Sequence, residues 1–206
     1  MIAIIDYGVG NLRSVEKAFV YLGYPARVTA DPGEVLNASK VVLPGVGAFG
    51  KAMEHLDKAG MIPVVGRVID SGRPFLGICL GLQLLFEESS ELFGERECLH
   101  KGLGVFPGQV LRFPASDLKV PQIGWNQIVK TKESPILDGV SDGSFVYFVH
   151  SYYVKPQNSE IILTQTNYGI DYCSGISYQN VSAFQFHPEK SSQVGLKILR
   201  NFAEME

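Results

Sequence analysis

Residues 75–86 read FLGICLGLQLLF, and eleven of these twelve residues are apolar or glycine, with Gln83 as the exception. The first part of this stretch, 74–78, predicts a buried strand, and the continuation LGLQLLFEES predicts a helix. Cys79 falls on the turn between them, with Gly77 and Gly81 on either side. A buried strand that turns sharply into a helix at G-x-[nucleophile]-x-G is typical of a nucleophile elbow.

The elbow gives a chemical reason for a thiol at this position. A helix N-terminus favours thiolate over thiol, and the thiolate is the nucleophilic form of cysteine. The backbone N–H of Leu80 starts the same helix and would stabilise an oxyanion formed on an attacked carbonyl. The alternative is a packed core cysteine, because buried free cysteines are common.

The first ninety residues, which include the elbow, alternate between strand and helix patterns. Strands are predicted at 2–6, 26–29, 40–43 and 74–78, and helices at 12–22, capped by Asn11, and at 61–69. Such alternation predicts a mostly parallel central sheet flanked by helices, the α/β class.

From about residue 100 the pattern changes to short segments rich in β-branched and aromatic residues. They predict antiparallel strands and hairpins at 105–113, 124–131, 144–154, 160–169, 173–179 and 181–187, followed by a helix at 191–206. No linker or repeat separates the two halves. We therefore expect one α/β domain over residues 1–206.

Composition narrows the class of protein. The chain has 206 residues, 46% of them hydrophobic, and a net charge of −3, which argues against a nucleic-acid-binding surface. No apolar run reaches the ~20 residues that span a bilayer, and the N-terminus shows no signal peptide. The three cysteines show no C-x-x-C spacing. Reduced thiols in a cytoplasmic protein, without a disulfide framework, metal site or cofactor, are expected.

A thiolate nucleophile usually works with a base, and His187 is the best candidate. It follows the alternating run SAFQF and precedes Pro188, which favours extended backbone. Residues i and i+2 of an extended chain point the same way, so Glu189 would orient the imidazole. The competing interpretation is a structural histidine before an edge proline.

The other three histidines are weaker candidates for the base. His55 is expected on a solvated helix face and His100 in a loop, and the neighbouring sequence suggests no catalytic role for either. His150, in FVHSYY, is expected to support substrate backbone contacts or strand packing.

A second glycine-rich stretch, LPGVGAFG at 43–50, follows the predicted strand KVVL. Loops at the carboxyl ends of parallel strands build the sites of open sheets. The absence of G-K-[ST] disfavours a phosphate loop. The stretch is either a plain strand-to-helix turn or the wall of an oxyanion hole facing Cys79.

Taken together, GICLGLQLLFE and FQFHPEKS resemble the class I, triad-type glutamine amidotransferases. IDYGVGN, LPGVGAF, KVPQIGWN, YFVHSYY and HPEKSSQVGLKILRNF further resemble the glutaminase subunits of imidazole glycerol phosphate synthases, in order along nearly the whole chain. The resemblance implies glutamine hydrolysis with release of ammonia for histidine biosynthesis. Relatives commonly carry His where this chain has Gln122.

The resemblance also implies roles for individual residues. The implied catalytic triad is Cys79, His187 and Glu189; the implied oxyanion-hole residues are Val46, Gly47 and Leu80; the implied glutamine-binding residues are Gln83, Ser151 and Tyr152. The implied partner is a separate (β/α)8-barrel cyclase subunit, because nothing in this chain resembles eight βα units. Three alternatives stay open: a glutaminase subunit of another amidotransferase pathway, a cysteine hydrolase or peptidase with the same elbow, and an inactive regulatory subunit.

Overall fold

A computed structural model describes residues 1–93, 96–97, 99–115 and 117–206, and it has a mixed α/β architecture. The strands are β1 Ile2–Ile5, β2 Ala26–Thr29, β3 Lys40–Gly45, β4 Phe75–Cys79, β5 Phe86–Ser89, β6 Leu92–Phe93, β7 Arg96–Glu97, β8 His100–Lys101, β9 Phe106–Arg112, β10 Gln122–Gln127, β11 Val129–Lys130, β12 Phe145–His150, β13 Tyr152–Pro156, β14 Ile162–Asn167, β15 Asp171–Tyr178 and β16 Val181–Phe184. The helices are α1 Leu12–Tyr21, α2 Pro32–Asn37, α3 Phe49–Lys58, α4 Met61–Asp70, α5 Leu80–Leu84 and α6 Ser192–Glu204, with short 3-10 turns at Pro135–Leu137, Ser159–Ile161 and Pro188–Lys190.

The first half of the chain forms the parallel part of the large sheet, as the sequence predicts. Four strands lie in the order β2-β1-β3-β4, and β16 returns from the end of the chain to pair parallel with β4. Every residue of β1 and β4 is buried, which is typical of parallel strands covered on both faces. Ile2 and Ile4 face the side of α1 and α6, whereas Ala3 and Ile5 face the side of α2, α3 and α4. The sheet therefore has a hydrophobic core on each face.

The second half supplies the predicted antiparallel pairings. The sheet continues as β16-β15-β13-β9, each pair antiparallel, and β10 pairs antiparallel with β12 in a separate ribbon. The predicted C-terminal helix is confirmed as α6, which packs Ile198, Leu199 and Phe202 into the core. The prediction of a mostly parallel central sheet with antiparallel strands in the C-terminal half is confirmed.

One predicted helix is wrong over half its length. The stretch LGLQLLFEES forms only the short helix α5, and Phe86–Ser89 is strand β5, paired parallel with β9. The carbonyl oxygens of Leu84 and Phe86 accept hydrogen bonds from Leu103 and Gly104 instead of from a next helical turn. Periodicity alone does not separate helix from strand in a short apolar run. Here the partner strand decides.

No helix within the described residues combines the length and apolar character needed to cross a bilayer.

Candidate active site

Cys79 lies at the junction of β4 and α5 with a left-handed backbone conformation, φ 54° and ψ −108°. An L-residue held there stores strain of about 1–3 kcal/mol, which surrounding structure must enforce. Close packing of the backbone on either side helps to hold Cys79 in this conformation. A Cβ on Gly81 would lie 1.9 Å from the Leu43 carbonyl oxygen, and one on Gly77 would lie 2.9 Å from the Ala183 Cβ. The predicted elbow is therefore present, and both flanking positions admit only glycine.

His187 and Glu189 form a buried pair, with 2.8 Å between Nδ1 of the histidine and Oε1 of the glutamate. The predicted contact is confirmed, but the predicted extended geometry is wrong. His187 is extended, but Pro188–Lys190 is a 3-10 turn, so Glu189 does not lie on an extended strand. The tight turn after Pro188 brings the carboxylate back onto the ring.

The electrostatic surroundings of His187 favour its protonated form. Burial lowers the pKa of His187, but the interactions of its ring with Cys79 and Glu189 outweigh burial and raise the pKa to about 10. Nε2, the nitrogen not bonded to Glu189, is buried and has no hydrogen-bond partner among the described residues. Cys79 thus lies within electrostatic reach of the ring without a well-formed hydrogen bond to it. The arrangement favours an imidazolium at neutral pH.

Asn11 adds a contact to this pair that local sequence patterns do not reveal. It begins α1 as predicted, but its side chain makes no capping hydrogen bond. Its Nδ2 lies 3.4 Å from Oε1 of Glu189, and its Oδ1 accepts a hydrogen bond from Ser14. The first loop of the chain therefore helps to hold the carboxylate, across 178 positions of sequence.

The three candidate oxyanion-hole residues lie together beside Cys79. Val46, Gly47 and Leu80 line one cavity with the thiol, and Gly47 has a positive φ of 93°. The base of this loop is fixed by Tyr7, whose hydroxyl donates a hydrogen bond of 3.0 Å to the Pro44 carbonyl. Burial, and to a smaller extent the charge of Cys79, raises the pKa of Tyr7, so the hydroxyl stays a donor.

The cavity has a volume of about 410 Å³ and is lined by eight of the nine predicted site residues, all except Glu189. Glu189 lies behind His187 and does not reach the cavity. Glu91, which the sequence argument did not single out, also lines it, and its carboxylate accepts a hydrogen bond from the Phe49 N–H at the start of α3.

Gln83 lines the cavity, but its amide is already engaged. Its Nε2 donates to the Tyr152 carbonyl oxygen and to Oε1 of Gln185, both at 3.0 Å. Only Oε1 of Gln83 is left for a ligand. Gln185, a residue that sequence reasoning missed, is fully buried, and its Nε2 lies 3.6 Å from the Cys79 sulfur.

His150 also lines the cavity, and the groups that its ring contacts are neutral, although the charge of nearby His187 adds a smaller lowering of its pKa to that of burial. Its Nδ1 lies 2.8 Å from the Tyr152 carbonyl oxygen and its Nε2 lies 3.3 Å from the Tyr172 hydroxyl, which in turn contacts Gln122. Burial lowers the pKa of His150 to about 4. A neutral His150 with Nδ1 protonated donates to the Tyr152 carbonyl, in keeping with a supporting role.

The remaining two histidines lie outside the cavity. His55 is half-buried on α3, where its ring packs against Gly8. The prediction that His100 lies in a loop is wrong: it belongs to β8, and its ring packs so closely on Gly50 that a Cβ there would lie 2.7 Å away. Pairing of β8 with β5 places it there.

Comparisons with known proteins add independent information. The family model "Glutamine amidotransferase class-I" matches residues 3–205. The chain is 54% identical to the imidazole glycerol phosphate synthase subunit HisH of Syntrophotalea carbinolica over 211 residues, covering 100% of both proteins. It is 53% identical to the protein of that name from Aquifex aeolicus, over 97% of this chain and 94% of the relative.

Solved structures show the same fold at low sequence identity. A structure titled "Crystal structure of glutamine amidotransferase" aligns with 100% of both chains at a TM-score of 0.74 and 18% identity. A chain of the structure titled "Structure of PurLQS from Thermotoga maritima" aligns at a TM-score of 0.73 and 15% identity, covering 98% of this chain and 96% of that one.

Proposed function

Because this chain belongs to the class-I glutamine amidotransferases, we propose that it is the glutaminase subunit of an imidazole glycerol phosphate synthase. The whole-length identity to relatives of that name supports the choice of synthase. The observation that carries the reaction is local: a strained cysteine and a buried His–Glu pair, with the thiol and imidazole facing one cavity.

In the first half of the proposed reaction, the Cys79 thiolate adds to the side-chain amide carbon of glutamine. The carbonyl becomes an oxyanion, and the Leu80 N–H with an N–H of Val46 or Gly47 are the proposed donors to it. The imidazolium of His187 then gives its proton to the amide nitrogen. The C–N bond breaks, ammonia leaves, and a glutamyl thioester remains on Cys79.

In the second half, a water molecule attacks the thioester while neutral His187 accepts a proton from it. The C–S bond breaks, which releases glutamate and restores the thiolate and the imidazolium. Glu189 keeps Nδ1 of the ring protonated throughout, so Nε2 is the nitrogen that exchanges the proton. The 2.8 Å contact supports this orienting role.

The glutamine-binding end of the cavity is proposed to include Gln83, Ser151 and Tyr152. The free Oε1 of Gln83 is an acceptor suited to the α-ammonium group of an amino acid. The Tyr152 carbonyl is held by two donors, from Gln83 and His150, so the Ser151–Tyr152 backbone is rigidly placed beside the thiol.

The proposed partner is a (β/α)8-barrel cyclase subunit that receives the ammonia. We infer that it docks on the ribbon of β10 and β12. Three apolar side chains on one face of this ribbon, Ile123, Trp125 and Phe145, support this placement because they are more than half exposed, at 63%, 52% and 53%. Val149 continues that face into the cavity. Large exposed apolar patches mark interaction sites. A partner bound there would shelter ammonia from water until the cyclase uses it to make imidazole glycerol phosphate and aminoimidazole carboxamide ribotide.

We also propose a cytoplasmic location, supported by the unpaired thiols of Cys79 and Cys173.

The test replaces each of the two described cysteines. In complex with the cyclase, Cys79→Ala should abolish glutamine hydrolysis while synthesis from added ammonium salt continues. Cys173→Ala is the matched control, because burial raises the pKa of Cys173 to about 12 and keeps that thiol inert. A glutamine-like electrophile should label Cys79 alone. Glutaminase activity retained in Cys79→Ala would refute the proposed function.

A further inference from the structure

Gln185 connects the reactive sulfur to the backbone of the cavity through a short chain of hydrogen bonds. The chain runs from Cys79 to Gln185, from Gln185 to Gln83, and from Gln83 to the Tyr152 carbonyl. We propose that Gln185 is a positioning residue, which donates an amide N–H to the Cys79 thiolate and so fixes the direction and reactivity of the sulfur.

The polarity of this chain follows from its far end. The Tyr152 carbonyl can only accept, so the group of Gln83 that faces it must be the NH₂. The second hydrogen of that NH₂ then points at Gln185, which must present its oxygen there. The amide nitrogen of Gln185 is thereby left facing the sulfur, at 3.6 Å. Because the Tyr152 carbonyl can act only as an acceptor, the amide orientations along the chain are fixed, and the Cys79 sulfur faces an N–H donor.

The position of Gln185 in the chain makes the donor rigid. It lies two residues before His187, directly after β16, and its own N–H donates to the Ser174 carbonyl at 2.9 Å. Its side chain is fully buried. The same short segment therefore supplies both the general base and a hydrogen-bond donor to the nucleophile.

The short helix α5 increases the need for such a donor. It has only five residues, so its dipole gives the sulfur less help than the longer helix predicted from the sequence. A hydrogen bond to a charged acceptor is stronger than one to a neutral acceptor. The Gln185 amide therefore favours thiolate over thiol and holds it aligned toward the substrate.

The inference rests on the proposed function only in treating Cys79 as the nucleophile, and its test does not require glutamine. We would measure the rate at which iodoacetamide alkylates Cys79 across a range of pH, with mass mapping of the modified cysteine. Three variants separate the contributions: Gln185→Glu keeps the acceptor for Gln83 and removes the donor, Gln185→Met removes both, and Gln83→Met never touches the sulfur. Gln193→Met, exposed on α6, is the matched control.

Both Gln185 variants should slow alkylation at pH 7 by about 10- to 100-fold, the range for a lost hydrogen bond to a charged group, and should move the rate profile to higher pH. In complex with the cyclase, kcat for glutamine should fall with little change in KM. Gln83→Met should slow alkylation as well, by about 2- to 10-fold, because the Gln185 amide is then free to turn its oxygen toward the sulfur.

Wild-type alkylation rates in folded Gln185→Glu and Gln185→Met, checked by thermal unfolding, would overturn the inference. So would equal slowing in Gln193→Met. If Gln185→Met does not fold, Gln185→Glu and Gln83→Met decide the question, and a wild-type profile in both refutes it. Absence of glutaminase activity in the wild-type complex would contradict the proposed function instead, whatever the alkylation rates show.

Discussion

His187 and His150 line two parts of one cavity and are buried to a similar extent, but the groups that they contact differ in charge. Both side chains are almost fully buried, with His187 2% and His150 6% exposed. The pKa of His187 is raised to about 10, because Cys79 and Glu189 outweigh burial, whereas burial lowers the pKa of His150 to about 4. His150 contacts a carbonyl and a hydroxyl, which do not offset the loss of solvent. The neighbours, and not the burial, decide which histidine exchanges protons.

The largest expected effect separates the two histidines by activity. His187→Gln should lower glutamine hydrolysis by about 10⁴-fold or more, because loss of one member of a catalytic unit nearly removes the function of the whole unit. His150→Gln should cost only about 2- to 10-fold, the value of a neutral hydrogen bond. Steady-state hydrolysis by the complex with the cyclase measures both. The reverse ranking would identify His150 as the base.

The next effect concerns stability in acid. The unfolded chain binds a proton at His150 below about pH 6.5, and the folded chain only below about pH 4, so falling pH favours unfolding between these values. A difference of this size amounts to roughly 3 kcal/mol. Urea unfolding at pH 7 and pH 4.5 should show a smaller acid loss in His150→Gln than in the wild type.

His187 is the control for that experiment, because its effect on stability should depend on pH in the opposite direction. Its raised pKa stabilises the fold fully below about pH 6.5, and this contribution is lost as pH rises toward 10. His187→Gln should therefore weaken the alkaline loss of stability and leave most of the acid loss in place, because burial is the main cause of the lowered pKa of His150. Identical acid slopes in His150→Gln and the wild type would show that His150 is not held neutral.

The smallest effect tests the charge behind His187. Glu189→Gln keeps an oxygen for Nδ1 but removes the negative charge, so the pKa of His187 should fall and activity should drop by about 10- to 100-fold. An NMR titration of the His187 ring, with kinetics on the same sample, measures both changes. An unaltered pKa would leave Cys79 as the sole cause of the raised value.

The parts that sequence predicted are those specified by neighbouring residues. The elbow at Cys79 and the His187–Glu189 pair each depend on a few consecutive positions, and the buried strands β1 and β4 depend on short apolar runs. These parts of the candidate site can therefore be predicted from local spacing in a single sequence.

The parts that sequence missed are specified by distant segments. Asn11 meets Glu189 across 178 positions, and Gln185 meets Cys79 across 106 positions. Strand β5 looked helical because its partner β9 comes later in the chain. A periodic pattern describes one segment, and it does not contain the pairing that selects between two conformations of that segment.

The crowding around Gly77 and Gly81 means that the glycines and the cysteine of the motif G-x-C-x-G are required for different reasons, so they can be lost independently in evolution. The glycines are required because a larger side chain would collide with the Leu43 carbonyl or with Ala183. Any chain that makes this turn must therefore keep them, whether or not it is a catalyst. The cysteine is required by the proposed reaction and not by this crowding. A gene copy that lost Cys79 and kept both glycines would encode a folded but inert subunit. Genome surveys that score the motif as one unit would count such a pseudoenzyme as a glutaminase, and scoring the cysteine apart from its glycines would separate the two.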